Sequence, residues 1–328
     1  MRVKGAVVIV TGASSGIGRA TALAFASHGS AVVLAARRHE ALDQVAAECV
    51  SAGGRALAVP TDVTDAKAVD ELARRAVEHF GRIDVWVNGA AVSLYAPFLE
   101  APLEEFRRVL DVNVMGPVHG CRAALAQMKQ QGAGVVVNVS SVVGVVPQPY
   151  NHPYSMSKAA VKALSASLRQ ELMLDGARGI KVVSVLPATI DTPFFAHAAN
   201  ATGRQVVAMP PVYAPERVAR TIVNVVRVPR RDVVVGTLGR AMVLQSKTAP
   251  GLMEKLMAMQ VDKLHLSPTT PAPVTDGNLY EPAPGKGSVH GEANGRRRTA
   301  IRRALSGAAL TGALVGARRR RGPAHAHR

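Results

Sequence analysis

From residue 5 to about residue 190 the chain alternates short, strongly apolar β-type runs with longer stretches of helical periodicity. The strand candidates are Ala6–Val10, Ala31–Ala35, Ala56–Val59, Val85–Asn88, Val135–Val139 and Lys181–Leu186. Between them lie helical patterns at Gly18–His28, His39–Ala52, Ala66–Phe80, Leu103–Gln130 and Tyr154–Leu174. Runs this apolar have to be buried on both faces, and a helix after each strand supplies the cover. The order therefore predicts an α/β fold, a doubly wound, Rossmann-like parallel sheet with helices on both faces. Pro215–Val226 adds a helix, Asp232–Gly236 a short strand, and Arg240–Leu264 an amphipathic helix interrupted at Pro250-Gly251. With 48% hydrophobic residues in 328, one domain over residues 1–265 can fill such a core.

Two local patterns carry chemistry. After the first strand comes Thr11-Gly12-Ala13-Ser14-Ser15-Gly16-Ile17-Gly18, which opens a helix. Glycines let such a turn close tightly and approach a pyrophosphate, whose charge the helix N-terminus favours. Gly12, Ser14, Ser15, Gly16, Ile17 and Gly18 are thus candidate nucleotide-binding residues, the alternative being a plain strand-to-helix loop. The second pattern is Tyr154-Ser155-Met156-Ser157-Lys158, in which Tyr154 and Lys158 share one helix face. A free phenol, with a pKa of about 10, exchanges protons poorly near neutrality, and a neighbouring ammonium favours the phenolate. Lowering of the Tyr154 pKa by Lys158 is the expectation, because acid–base catalysis needs a matched pKa. Alone the pair is weak evidence, since this spacing arises by chance on many helices.

Together the two patterns point to a family. Thr-Gly-x-x-x-Gly-x-Gly with Tyr-x-x-x-Lys about 140 residues later resembles the short-chain dehydrogenase/reductase family, over roughly residues 5–240. The resemblance extends to Asp62-Val63, to Asn88, to Asn113 in Asp111-Val112-Asn113-Val114, and to Ser141, thirteen residues before Tyr154. It also takes in Pro187-Ala188-Thr189-Ile190-Asp191-Thr192-Pro193. It implies hydride transfer between a nicotinamide and a carbonyl or secondary alcohol, with Tyr154 as the acid or base. Ser141 would hydrogen-bond the substrate oxygen, and Lys158 would tune Tyr154 and hold the nicotinamide ribose. Asn113 would hold a water that links Lys158 to solvent. Asp62 and Val63 would meet the adenine, Asn88 would belong to the cofactor site, and Thr192 would fix the carboxamide.

The ribose reader is legible without the resemblance. An acidic residue after the second strand would bond the free 2′-hydroxyl of NAD and repel the 2′-phosphate of NADP. Here Ala36-Arg37-Arg38 follows instead, offering two guanidiniums that can grip a phosphate bidentately. The expected cofactor is NADP(H), against the alternative of a solvated arginine pair. Two positions depart from the family pattern: Asn88-Gly89-Ala90-Ala91 stands for Asn-Asn-Ala-Gly, and Ala188 for a glycine. They keep a second reading open, a catalytically silent dinucleotide-sensing protein on the same fold.

By the resemblance, the segments Val92–Phe98, Val145–Pro153 and Pro193–Val212 would form the substrate pocket. With Tyr213 they bring together Leu94, Tyr95, Phe98, Val146, Tyr150, Phe194, Phe195 and Met209, in a chain with only 4% aromatic residues. That clustering suggests an apolar cleft for a small carbonyl or alcohol, or a lid that docks over the cofactor. His152 reads as a solvated loop histidine. The helices at Leu103–Gln130 and Tyr154–Leu174 would, by the resemblance, pair copies into a homodimer or homotetramer.

Composition shifts after residue 265. Residues 266–295 read as a Pro/Gly-rich linker or surface wrap, with five prolines between Ser267 and Gly291. Residues 296–328 form a basic tail: ten arginines and no acid, so that of the net +17 the preceding chain carries about +7. Its apolar stretch, Ala304–Ala317, is shorter than the roughly 17–25 residues a membrane span needs. A solvated tail or an interfacial helix touching anionic lipid fits it; no recognition motif calls for nucleic acid. The two cysteines, Cys49 and Cys121, have no paired spacing, which excludes a disulfide framework or cysteine metal site and fits a cytoplasmic protein.

Overall fold

The structure, a computed structural model, describes residues 1–293. Its first half runs β1 (Val7–Thr11), α1 (Gly16–Ala26), β2 (Ala31–Ala36), α2 (His39–Ser51), β3 (Arg55–Pro60), α3 (Ala66–Phe80) and β4 (Val85–Asn88). Then follow β5 (Leu94–Tyr95), α4 (Leu103–Leu110), α5 (Gly116–Gln131), β6 (Gly134–Val139), α6 (His152–Leu174) and β7 (Ile180–Pro187). The rest comprises β8 (Ala199–Asn200), β9 (Arg204–Val206), α7 (Pro215–Arg227), β10 (Asp232–Val235), α8 (Thr237–Thr248), α9 (Pro250–Gln260) and β11 (Leu266–Pro271).

Seven strands form one parallel sheet in the order β3-β2-β1-β4-β6-β7-β10. The strands at its centre are buried at every residue, as their unbroken Val and Ile runs require. Alternate residues feed two cores. Val8, Val10, Val85 and Val87 pack with Phe25, Leu42 and Ile222 of α1, α2 and α7. Val7, Ile9, Trp86 and Val136 pack with Leu72, Met128 and Leu172 of α3, α5 and α6. Chain order reverses between β1 and β4, which opens a crevice at the carboxyl ends of those strands.

One expected helix is divided. Leu103–Gln130 resolves into α4 and α5, joined by a π-helical turn at Asp111–Met115. Pro117 has no N–H to return to the Asn113 carbonyl, so α-helical bonding cannot run through the junction. The buried Asn113 side chain fixes the break, its Oδ1 accepting from the Val92 N–H and its Nδ2 donating to the Val92 carbonyl, both at 2.9 Å. Of the stretch expected as a linker or surface wrap, residues 266–293 run over the surface with fixed contacts. β11 pairs antiparallel with β9, and Thr275 exchanges backbone bonds with Asn200. The following residues return across the carboxyl edge of the sheet. The basic tail at 296–328, with its solvated and interfacial readings, lies outside the described residues. Among the described residues no helix is long and apolar enough to cross a membrane.

Beneath the crevice a buried polar cluster ties β4 to β6. Asn88 and Asn138 are register partners, and the Asn88 amide donates to Asn138 Oδ1 at 2.8 Å. Trp86 Nε1 donates to Asn88 Oδ1 at 2.8 Å, and Asn138 Nδ2 to Ser165 Oγ of α6 at 2.9 Å. Removing one member orphans its neighbours in a place water does not reach, at about 1–3 kcal/mol for each unsatisfied group. Asn138→Ala should therefore lower unfolding stability by about 2–4 kcal/mol in urea titrations. An unchanged midpoint would show that the cluster is not a support of the sheet.

Candidate active site

The crevice is shaped by a close approach of two strand ends. Thr11 Oγ1 accepts from the Gly89 and Ala90 N–H groups at 3.1 and 3.3 Å, drawing the loop after β4 against β1. A Cβ on Gly12, which has φ 71°, would lie 2.8 Å from the Ala90 Cα; one on Gly18 would lie 2.1 Å from the Gly12 carbonyl oxygen. Neither position tolerates a side chain, so both glycines are needed for the turn to close. A cleft runs from here along the carboxyl edge, past Ser14, Ser15, Gly16 and Ile17 toward α6.

At its inner end Ser141, Tyr154 and Lys158 come together. Ser141 sits just beyond β6, its hydroxyl accepting from the Val143 N–H at 3.3 Å, donating to the Pro187 carbonyl at 3.4 Å and standing close enough to the Tyr154 phenol to favour its ionised form. Helix α6 carries Tyr154 and Lys158 on one face, with Lys158 Nζ 5.3 Å from the centre of the phenol ring. Nζ donates to the Val139 carbonyl at 3.0 Å, and Ser140 Oγ donates to the Lys158 carbonyl at 2.7 Å. The Asn113 amide reaches this group only through Ser157 Oγ, at 3.1 Å, and its side chain is taken up by Val92. A relay at this residue thus has the main-chain carbonyl that Pro117 leaves without its α-helical donor.

The electrostatics differ from the expectation of a lowered phenol. Tyr154 lines the cleft and is partly buried, and that burial pushes its pKa well above the ordinary value. The Ser141 hydrogen bond pulls the other way and does not win. The cation is adjusted as well: burial, with no carboxylate partner among the described residues, lowers Lys158 to about 8. Desolvation outweighs the mutual attraction of the pair, so at neutral pH the phenol holds its proton.

At the outer end Arg37 and Arg38 line the cleft with Ala36, and no acidic residue stands between them. Desolvation lowers both guanidinium pKa values. Among the described residues neither forms an ion pair. Asp62 and Val63 line the same end. Burial pushes the Asp62 carboxyl up, but hydrogen bonds from Thr64 and Arg108 prevail and hold it below the usual range. Thr192 and Gly12 complete the lining. Asn88 does not belong to it, because its amide is committed to the cluster under the sheet. Gly89, Ala90 and Ala91 face the cleft in its place.

Past Tyr154 the cleft has aromatic walls. Ring contacts lead from Tyr154 to Phe194, Phe195, His265 and Tyr95, with centroids 5.2–5.6 Å apart at each step. His265 Nδ1 faces the Val207 carbonyl, so its proton belongs there and Nε2 accepts from the Tyr95 hydroxyl at 3.0 Å. Burial, partly offset by the Val207 bond, keeps this histidine neutral. Of the expected pocket residues, Tyr95, Phe194, Phe195 and Met209 line the cleft. Leu94 and Tyr213 belong to the cores, Val146 and Tyr150 to a smaller cluster with Met253 and Met257, and Phe98 is 63% exposed against the His152 ring. Sequence reasoning missed Met242, Met257, His265, Asn278, Pro282 and Ala283, which also line it. They come from the C-terminal third, where neither a motif nor a strong period marks them.

The short-chain dehydrogenase family model matches residues 6–202. The chain belongs to the short-chain dehydrogenase family. It is 35% identical over 258 residues to the uncharacterized oxidoreductase YxnA of Bacillus subtilis strain 168, covering 78% of this chain and 72% of that one. It is 37% identical over 223 residues to 3beta-hydroxysteroid dehydrogenase 1 of Eggerthella lenta, covering 66% and 84%. Among solved structures, a short-chain dehydrogenase/reductase from Burkholderia phymatum in complex with NAD superposes with a TM-score of 0.71 at 28% identity, over 77% of this chain and 97% of that one. This short-chain dehydrogenase thus shares fold and family motifs with oxidoreductases.

A lysine lowered to about 8 leaves a signature in the pH dependence of stability. Between about pH 8 and 10.5 the unfolded chain holds a proton that the folded chain has released, so this group's contribution to stability rises with pH. From pH 7.5 to pH 10 the wild type should gain on Lys158→Met by on the order of 2 kcal/mol in urea unfolding. A constant difference would mean that Lys158 titrates as an exposed amine.

Proposed function

We propose that this short-chain dehydrogenase is an NADP(H)-dependent oxidoreductase acting on the carbonyl or secondary alcohol of an apolar small molecule. The observation that carries the reading is the convergence of Ser141, Tyr154 and Lys158 at the inner end of a cleft that begins at the glycine turn. The dinucleotide, when bound, supplies or takes up the hydride. Gly12 and Gly18 keep the turn open to a pyrophosphate, and Thr192 stands ready for the nicotinamide end.

Tyr154 holds its proton at neutral pH and can give it to the oxygen on which negative charge develops during reduction. Ser141 offers a second hydrogen bond to that oxygen. When Tyr154 has lost its proton, the Lys158 ammonium beside it stabilises the phenolate, and the buried Asn113 would hold a water that links Lys158 to solvent. The silent-sensor reading has nothing in this site to favour it: Ser141, Tyr154 and Lys158 are all present and adjacent.

NADP(H) is preferred to NAD(H) because Arg37 and Arg38 are desolvated cations that form no ion pair among the described residues, with Asp62 and Glu281 acting on Arg37 only at a distance. Such a pair is stabilised by an anion and not by a hydroxyl. The aromatic wall and the methionines beyond Tyr154 suit an apolar substrate. A relative named as a hydroxysteroid dehydrogenase fits that class. Leu103 and Leu174, 82% and 88% exposed on α4 and α6, support pairing of copies through these helices. Two buried free thiols, Cys49 and Cys121, support a cytoplasmic, reducing setting.

Two measurements test this. Tyr154→Phe should bind NADPH as the wild type does, yet lose turnover of apolar carbonyls by a factor of about 100 or more. Retained turnover would take the proton transfer away from Tyr154. Arg38→Gln should raise the KM for NADPH by about 10–100-fold and leave that for NADH nearly unchanged, as expected when one charged hydrogen bond is lost. Equal use of NADH and NADPH by the wild type would overturn the cofactor assignment.

A further inference from the structure

Residues 277–293 lie along the outer side of the cleft and follow it from end to end. At the adenosine end Arg37 Nη1 donates to the Leu279 and Tyr280 carbonyls at 3.4 and 2.5 Å, and Nη2 to the Asn278 carbonyl at 2.8 Å. Arg38 Nη1 donates to the Ala283 carbonyl at 2.6 Å and to that of Gly285. Further along, Arg19 Nη1 donates to the Gly287 carbonyl at 3.0 Å, and the Gly16 N–H to the Ser288 carbonyl at 2.8 Å. The Ala293 N–H donates to the Asp191 carboxylate at 3.0 Å, beside Thr192. The segment thus meets, in order, the ribose-reading arginines, the glycine turn and the nicotinamide loop.

Its contacts with the arginines are selective. All of them are main-chain carbonyls, which orient a guanidinium without cancelling its charge. Both bonds of Arg38 fall on Nη1, and among the described residues its Nε–Nη2 edge makes none. That edge is the fork that takes a phosphate bidentately. A competitor for the site would occupy the fork, whereas a support would hold the opposite side and leave the fork for the ligand. At Arg38 the segment does the second, leaving that edge without a hydrogen bond among the described residues although Gly287 lies beside Nη2. At the glycine turn its Ser288 carbonyl holds the Gly16 N–H, a bond the segment must give up as a dinucleotide enters. It is itself anchored by Leu279, fully buried in the core that α3, α5 and α6 share with the sheet.

We propose that residues 277–293 form a positioning strap for the cofactor: their carbonyls aim Arg37 and Arg38 at the 2′-phosphate, and the strap closes the groove over the bound dinucleotide. This rests on the NADP(H) reading of the site. Preference for NADPH over NADH is then set in part by a segment some 240 residues away in sequence from the arginines. Release of NADPH requires the strap to lift.

Two full-length variants unseat the strap at its start without touching either arginine or the glycine turn. A Cβ in Gly277→Ala would lie 2.4 Å from the His197 carbonyl oxygen at φ 55°, and Leu279→Ala removes the buried anchor. In both, trypsin should cut after the exposed Lys286 faster than in the wild type, with no cofactor added. NADPH should bind about tenfold or more weakly and leave correspondingly faster in stopped-flow chase, while NADH affinity changes less than about threefold. Unchanged or tighter NADPH binding overturns the proposal, and so does equal weakening of NADPH and NADH. Lys286 as resistant to trypsin as before in both variants overturns it too, since these contacts would then not seat the strap. Failure of the NADP(H) reading is separate: Arg38→Gln would leave the NADPH KM of the wild-type strap unmoved.

Discussion

The approach of the β1 and β4 ends, held by one threonine hydroxyl, is the constraint on which the rest of the molecule is arranged. Thr11 Oγ1 gathers the Gly89 and Ala90 N–H groups, so the loops after two adjacent strands leave the sheet pressed together and in opposite directions. Only a residue without Cβ fits at position 12, and the first turn of α1 fits against it only because position 18 is also glycine. Everything with chemical character stands on the rim of the crevice that results.

Keeping charge at such a place is a matter of desolvation against partners. Lys158 has a carbonyl and a phenol ring near its ammonium but, among the described residues, no carboxylate, and burial prevails. Tyr154 beside it is held protonated by the same burial. The two groups are therefore poised in opposite senses, the acid reluctant to ionise and the cation reluctant to stay charged. Ionisation of either one favours the other. This makes the pair responsive to charge that arrives or develops between them, more than two independently solvated groups would be.

Much of this was legible in the sequence because it is local. Strand runs of Val and Ile, the spacing of Tyr154 and Lys158, and the glycine turn each depend on neighbours in the chain, and the described sheet follows the expected strands within a residue or two. What escaped is long-range or compensatory. The π turn at Asp111–Met115 depends on Val92 reaching Asn113, and a helical period cannot register that. Asn88 carries a family motif, yet its amide serves the sheet interior, where Trp86, Asn138 and the Cys121 sulfur take up its bonding. The phenol's pKa came out opposite because spacing reveals a neighbouring cation but not how deeply both are buried.

The stretch after β11 marks the sharpest limit of local reading. Its prolines and glycines forbid a periodic helix or strand, which makes it look like a connector. The same composition leaves main-chain carbonyls unpaired by any ladder and therefore available to donors elsewhere. Arg19, Arg37, Arg38 and Arg108 are such donors, and four guanidiniums at one rim cannot all find carboxylates on this domain. Irregular backbone and surplus arginine thus solve each other's hydrogen-bonding problem. With Arg19 and Arg108 paired to Glu48 and Asp62, the arrangement leaves the charge of Arg37 and Arg38 in place, where an anionic ligand can use it.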